Sequence, residues 1–319
     1  MNELQVGRRT LKVSNLDKVL YPGAGFTKGD VLDYYRDVAE TLIPHLKDRP
    51  LTLKRYPDGV EAGFFYEKRC PPYRPGWLKT TKVLRKRDKK YIEFCVVNDA
   101  ASLLWVANLA SLELHVSLAK GRAIQKPTSL VFDLDPDPDL GVLGAARVAQ
   151  WVRAELNTLG LESFPKTSGS KGIQLYVPLN TSVTYAETAP AALAIAKLIE
   201  EKHPDDIVTK QSKELRRGRV LIDWSQNDDH KTTVSVYSLR ARPTPTVSTP
   251  ITWRELQSAV RSEDPEKLTF TAPDVLKRIA RRGDLFEDVL KLKQKLPEGH
   301  ASNERRDPKG TGRVPLPDA

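Results

Sequence analysis

The sequence predicts an α+β fold, and three observations carry that prediction. Apolar residues recur at helical spacing in 28–44, 98–118, 144–160 and 185–201. Short runs rich in β-branched and aromatic residues occupy 51–56, 63–68, 131–136, 173–177 and 220–224. Helices and strands alternate along the chain, which then returns to strands over 206–239.

Taken in order, Thr27-Lys28-Gly29-Asp30 marks a helix start with Thr27 as N-cap. Val31, Leu32, Tyr35, Val38, Ala39, Leu42 and Ile43 then form one amphipathic face up to Pro44. Leu51 to Tyr56 ends at the turn signal Pro57-Asp58-Gly59 and precedes the aromatic run Gly63 to Lys68, which predicts a surface hairpin. Phe64, within that run, reads as a packing residue. From Asn98 to about Leu118, Leu103, Leu104, Val106, Ala107, Ala110 and Leu114 read as a helical core face, with Trp105 and His115 packing beside it. Gly160 closes the helix from Gly144, and an alanine-rich helix runs from Tyr185 to Glu201. A proline-limited arm begins at Pro243 and wraps the core before Thr252 caps a further helix. Residues 1–293 read as one domain, and 294–319, polar and rich in Gly, Pro and charge, as a disordered tail or linker.

With 319 residues and 39% hydrophobic content the chain can bury a real core. Its formal charge of +10 suits a polyanion, nucleic acid or anionic membrane, better than a neutral metabolite. The apolar stretch near 100–118 is interrupted by Ser, Asn, Glu and His, and no signal-peptide region precedes the first helix, so no membrane association is expected and a cytoplasmic location is. Cys70 and Cys95 stand alone and only five histidines are present. Neither a zinc site nor a disulfide is predicted, and the compartment reads as reducing. Between Lys79 and Lys90 seven basic residues face one acid, a solvated loop or a phosphate-backbone contact.

The chemistry concentrates in Val131-Phe132-Asp133-Leu134-Asp135-Pro136. Strand side chains alternate, so Asp133 and Asp135 share one face, roughly 7 Å apart. That spacing fits a divalent metal or, more plainly, a strand running into an Asp-Pro turn. Lys166 to Gly172 is a small glycine-punctuated loop able to turn N–H groups and an ammonium toward phosphate. Val220-Leu221-Ile222-Asp223 adds a third acid in a strand setting. Three carboxylates with a phosphate loop suggest two-metal nucleotidyl transfer.

Six segments in order carry a family resemblance: Asp-Lys-Val-Leu-Tyr-Pro (17–22), Leu-Glu-Leu-His-Val (112–116), Val-Phe-Asp-Leu-Asp-Pro (131–136), Ser-Gly-Ser-Lys-Gly (168–172), Ile-Asp-Trp-Ser-Gln-Asn (222–227) and Tyr-Ser-Leu-Arg-Ala-Arg-Pro (237–243). From about residue 8 to 290 the chain resembles the polymerase domain of bacterial ligase D, of the archaeo-eukaryotic primase superfamily. The resemblance implies two β-sheets around a central active-site cleft with flanking helices, and gap filling and end extension in non-homologous end joining. Asp133, Asp135 and Asp223 would hold two ions, manganese or magnesium. Ser168, Lys171, Arg240 and Lys54 or Arg55 would meet the triphosphate, and His115 the sugar of a preferred ribonucleotide. Lys18 and Lys28 would grip a 5′-phosphate across a gap, and Phe65 or Tyr66 would stack on template DNA. Implied partners are gapped or broken DNA bearing 5′-phosphate, ribo- and deoxynucleoside triphosphates, bacterial Ku and a DNA ligase, in the nucleoid.

One position departs from the pattern. The family loop reads S-G-x-K-G-x-H, and Gln174 stands where histidine is usual. An amide donates to phosphate oxygen but carries no charge and delivers no proton. The gap-filling polymerase therefore has two rivals: an end-binding module with impaired chemistry, and a primase that starts chains unaided.

Overall fold

Local signals at the N-terminus place the first elements. In the computed structural model, which describes residues 2–85 and 88–297, Gly7 (φ 56°) turns β1 (Asn2–Val6) into β2 (Arg9–Val13), and β3 (Val19–Tyr21) pairs with β4 (Phe26–Thr27). Thr27 caps α1 (Lys28–Asp37) as predicted: its Oγ1 accepts from the Asp30 N–H at 3.2 Å, and the Asp30 carboxylate accepts from the Thr27 N–H at 2.7 Å. The single helix expected up to Pro44 is two. The chain bends at Val38, and α2 (Ala39–Leu46) continues past Pro44. Val38, Leu42 and Leu46 extend one buried stripe, and that burial outweighs the donor proline lacks.

The predicted hairpin forms from β5 (Leu51–Arg55) and β6 (Phe65–Glu67), with Lys54 opposite Tyr66 and Arg55 opposite Phe65. The basic run makes a second hairpin, β7 (Thr80–Arg85) and β8 (Lys90–Cys95), although Lys86 and Arg87 lie outside the described residues. The expected helix over 98–118 is corrected. Helix α3 (Ala100–Asn108) stops before Ala110, which takes φ 55°, and β9 (Ser111–Val116) follows. Leu112, Leu114 and Val116 alternate with Glu113 and His115, and pairing with β5 selects that period of two over the helical one. Leu114 and His115 are strand residues.

The remaining elements are β10 (Ser129–Pro136), α4 (Gly141–Thr158), β11 (Phe164–Thr167), β12 (Ile173–Pro178), α5 (Tyr185–Lys202), β13 (Ile207–Val208), β14 (Val220–Asp223), β15 (Thr233–Val234), α6 (Trp253–Ser262), α7 (Ala272–Arg282) and α8 (Glu287–Lys291). They complete two sheets, β11-β12-β10-β14-β13 and β15-β9-β5-β8-β7 with β6 on β5. Phe132 and Leu134 pack with Val148, Val152 and Ile195 of α4 and α5, while Val131 and Tyr176 join the core built on the second sheet and α1 to α3. The carboxylate face of β10 is therefore turned toward the second sheet. A cleft between two sheets, with helices outside, is the expected architecture.

Two further readings change. Cys70 and Cys95 form a disulfide, Cα atoms 4.8 Å apart. The Cys70 N–H donates to the Glu93 carbonyl at 2.7 Å, which docks the loop before β7 against the end of β8 and brings together cysteines 25 residues apart. The reducing compartment inferred from solitary cysteines loses its basis. At the C-terminus, Gln294 is docked: its N–H donates to the Leu179 carbonyl at 3.1 Å, and its amide donates to Pro178 and Glu162 carbonyls. Residues 298–319 of the expected tail lie outside the described residues. Among the described residues no helix is long and apolar enough to cross a membrane.

The arm from Pro243 wraps the core as expected. Ser248 exchanges backbone hydrogen bonds with Tyr237 and Ser238, and Thr249 accepts from the Thr167 N–H at 2.8 Å. Beyond it Thr252 caps α6, and Glu255 ties α6 to α7 by accepting from Arg278 at 2.8 Å and Arg282 at 2.6 Å. Burial opposes ionisation of Glu255, but the Arg278 hydrogen bond, the Thr252 N–H and the Arg278 charge bring it down to about 2. A depressed carboxylate stabilises the fold above its unfolded pKa, and that contribution is lost as pH falls through the folded value. Thermal melts should therefore show stability falling between about pH 4.5 and 2, and Glu255→Gln should flatten that segment.

Candidate active site

Sheet register assembles the acids. Asp133 on β10 stands directly opposite Asp223 at the end of β14 on one side and Gln174 of β12 on the other, and Lys166 of β11 stands opposite Gln174. Burial pushes the Asp133 carboxyl up to about 6, a hydrogen bond from Gln174 acts against that, and the charges of Asp223 and Asp135 add to it. Lys166 is fully buried. Burial pushes its ammonium down to about 7, while the Asp133 carboxylate works to keep it charged. Asp223 accepts from the Ser225 N–H at 3.0 Å, Ser225 Oγ at 2.6 Å and Gln226 Nε2 at 2.8 Å. Asp135 is exposed and pairs with Arg216.

Beyond Asp223 the strand β14 ends, and Asn227 continues its edge. The Asn227 amide accepts from the Val131 N–H at 2.9 Å and donates to the Val131 carbonyl at 2.7 Å, completing the β10 ladder with a side chain. The three carboxylates offer only hard oxygen donors, and their mutual repulsion is relieved by a divalent cation. The residues present therefore fit the expected metals. Among the described residues the group of three donor side chains whose ligand atoms all lie within 4.8 Å of one another is instead Asp228, Asp229 and His230, where Asp229 already engages Gln125 and His230.

The glycine-punctuated loop lies beside the triad. Ser168 Oγ accepts from the Gly172 N–H at 3.1 Å and the Ser170 N–H at 3.3 Å, leaving its O–H free to donate. The Thr246 hydroxyl donates to the Gly169 carbonyl at 2.7 Å, and Arg240 donates to the Ser168 carbonyl. Gly169 has φ +68°, and a Cβ there would lie 2.7 Å from the Val247 carbonyl carbon, so only glycine fits. His115, Asp133, Asp135, Ser168, Lys171, Gln174 and Arg240 line one cleft of about 300 Å³.

Glu113 organises the opposite wall, and sequence reasoning gave it no role. It is 2% exposed on β9, is hydrogen-bonded to His115 Nε2 at 2.9 Å, Lys54 Nζ at 3.4 Å and the Ala241 N–H at 3.1 Å, and is ion-paired with Arg240, whose Nε lies 3.3 Å away without a hydrogen bond. Burial opposes its charge, but the His115 hydrogen bond and the Arg240, His115 and Lys54 charges hold it well below the usual carboxylate range. Burial also pushes His115 down, against the pull of Glu113. The available signal was one acid inside the apolar alternation Leu112-Glu113-Leu114.

An aromatic shelf extends from this wall. Tyr66 meets His115 edge-on at 5.9 Å, and Lys54 Nζ lies 4.2 Å from the Phe64 ring. Phe64, Phe65 and Tyr66 are 51%, 45% and 55% exposed, so the packing assigned to Phe64 is corrected: the hairpin turns its ring outward beside Tyr56. Lys18 is exposed and pairs with Asp58 at 2.7 Å. Lys28 is 6% exposed, with Nζ on the Ser14 carbonyl at 2.8 Å, and burial, then the Lys18 and Arg55 charges, push it down. The two lysines thus lie near one another and near the shelf, but outside the cleft lining.

Residues 27–286 match the family described as LigD, primase-polymerase domain. The multifunctional non-homologous end joining protein LigD of Mycobacterium bovis is 40% identical over 285 residues, covering 86% of this chain and 36% of that protein. The bifunctional non-homologous end joining protein LigD of Bacillus subtilis is 32% identical over 288 residues, covering 90% and 45%. The polymerase domain from Mycobacterium tuberculosis ligase D, solved in complex with DNA, aligns with a TM-score of 0.80 at 39% identity, covering 88% of this chain and 98% of that one. The chain spans less than half the length of the two LigD proteins.

Removing Glu113 strands two cations, Lys54 and Arg240, and the His115 imidazole in a buried wall. Glu113→Ala should cost about 3–5 kcal/mol in chemical denaturation, the scale for breaking one side of a buried ion pair. Glu113→Gln, which keeps the shape and part of the hydrogen bonding, should cost less.

Proposed function

The chain belongs to the LigD primase-polymerase family, and on that premise we propose that it is a DNA-dependent polymerase that fills gaps and extends ends during double-strand-break repair. The observation that carries this reading is the cleft shared by Asp133, Asp135, the Ser168–Gly172 loop and Arg240, with Asp223, outside its lining, directly opposite Asp133 in the strand pairing.

Asp133, Asp135 and Asp223 would hold two divalent ions, manganese or magnesium, which when bound activate the attacking 3′-hydroxyl and neutralise the departing pyrophosphate. Lys171, exposed at the loop, and Arg240 supply charge to the triphosphate, and the Ser168 hydroxyl donates to a phosphate oxygen. Gln174 adds an amide N–H on the same side. Glu113 fixes the ring of His115, which meets the ribose and gives ribonucleotides their partner for the 2′-hydroxyl. Lys54 sits between Glu113 and the aromatic shelf, where it serves triphosphate and stacked base alike. Phe65 and Tyr66 stack on template bases without sequence preference. Lys18 and Lys28 take a 5′-phosphate once they exchange Asp58 and the Ser14 carbonyl for it. Bacterial Ku and a DNA ligase are the partners this role calls for, in the nucleoid.

Primer extension on a gapped duplex bearing a 5′-phosphate, with manganese, tests the reading. The wild type should extend, prefer ribonucleotides, and lose extension with Asp133→Ala. Gln174→His should raise kcat, by up to about a hundredfold if the imidazolium delivers a proton to pyrophosphate. A wild type that binds the gap but never extends it would place the chain among end-binding modules, and dinucleotide synthesis without primer would make it a primase.

A further inference from the structure

The polymerase reading leaves one charged group without a task. Lys166 is 0% exposed, in the middle of β11. It stands opposite Gln174, which stands opposite Asp133, which stands opposite Asp223. Residues directly opposed across antiparallel strands project to the same face with Cβ atoms about 5 Å apart. The four side chains therefore form one polar row under the cleft, cationic at one end and anionic at the other.

Gln174 is the neutral member of that row, and its direction matters. The group is 3% exposed, stands directly opposite Asp133, whose ionised form it favours, and its Oε1 is buried with no hydrogen-bond partner. Lys166 offers three donors and no acceptor. Its Nζ donates to Ser248 Oγ at 2.6 Å and lies 5.7 Å from the Tyr176 ring. An amide between an ammonium and a carboxylate has one favourable direction, oxygen toward the cation and NH₂ toward the anion. We propose that Lys166 is a positioning residue that fixes the Gln174 amide, so that its NH₂ faces Asp133 and the phosphate side of the cleft. Without that ammonium one of the two charges that select this direction is lost, and the turned amide, whose oxygen repels both the carboxylate and the triphosphate, is populated more often.

This inference rests on the polymerase reading, and two readouts separate them. Lys166→Met should lower kcat for gap filling about tenfold, which corresponds to about 1.4 kcal/mol. In a Gln174→His background the same change should cost less than about twofold, because an imidazolium donates from both nitrogens and has no direction to lose. Equal losses in the two backgrounds, or no loss in the first, would overturn the proposal and leave Lys166 as packing. If Lys166→Met does not fold, Ser248→Ala, which removes the hydrogen-bond anchor of the lysine, should show the same dependence on background, and its absence there would count equally against the proposal. Exchange of the Gln174 side-chain amide protons, followed by NMR without metal or nucleotide, should be slow in the wild type and fast in Lys166→Met. Failure of wild-type extension would refute the polymerase reading, whereas unchanged amide exchange would refute the positioning role.

Discussion

The register of β10 is the constraint on which the rest of the molecule depends. The strand carries Leu130, Phe132 and Leu134 into the core under α4 and α5, and Asp133 and Asp135 to the other side. A slip of one residue would put both carboxylates into that core and the phenylalanine into the cleft. The strand is held on both edges, by β12 along most of its length and by β14 from Asp133 onward. Where β14 no longer reaches, the Asn227 amide takes over its hydrogen bonds. Structural and functional demands converge there, because Asn227 follows Asp223 by four residues and fixes both strands.

The two sheets divide the electrostatic labour. On the first, burial and then the crowding of like charges make Asp133 resist ionisation, and the site favours a cation. On the second, one buried carboxylate gathers an imidazole, a guanidinium and an ammonium and stays ionised. A triphosphate with its metals is complementary to this pair of walls, anionic toward Arg240 and cationic toward the aspartates. Arg240 reaches both sides, pairing with Glu113 and donating to the Ser168 carbonyl.

Features that depend on neighbours in sequence were legible: the caps at Thr27 and Thr252, the hairpin of β5 and β6, the shared face of Asp133 and Asp135, and the glycine-punctuated loop. Tertiary partners decided the remainder. Segment 111–116 carries apolar residues compatible with either period, and only pairing with β5 makes it a strand. Cys70 and Cys95 have no local motif, and only the docking of a loop on β8 brings them together. Glu113 looks like a polar interruption of the expected helix until the strand sets His115 beside it and Lys54 and Arg240, from separate segments, meet it. Phe64 reads as core because aromatic runs usually are, yet its hairpin has no second layer above it. Lys166 was counted only as the start of the glycine-punctuated loop, and the sheet instead buries it within β11.

The wrapping arm also dictates when the site is built. The phosphate loop takes its shape from Arg240 and Thr246, which lie 72 and 77 residues further along the chain than Ser168 and Gly169, and Lys166 is anchored 82 residues away at Ser248. Contacts of that separation close late, after local helices and hairpins have formed. During synthesis the chain through Asp223 can gather its carboxylates well before the arm leaves the ribosome. An unfinished chain thus has the acids but not the full grip on phosphate, and competence for chemistry arrives with the segment from Arg240 to Ser248.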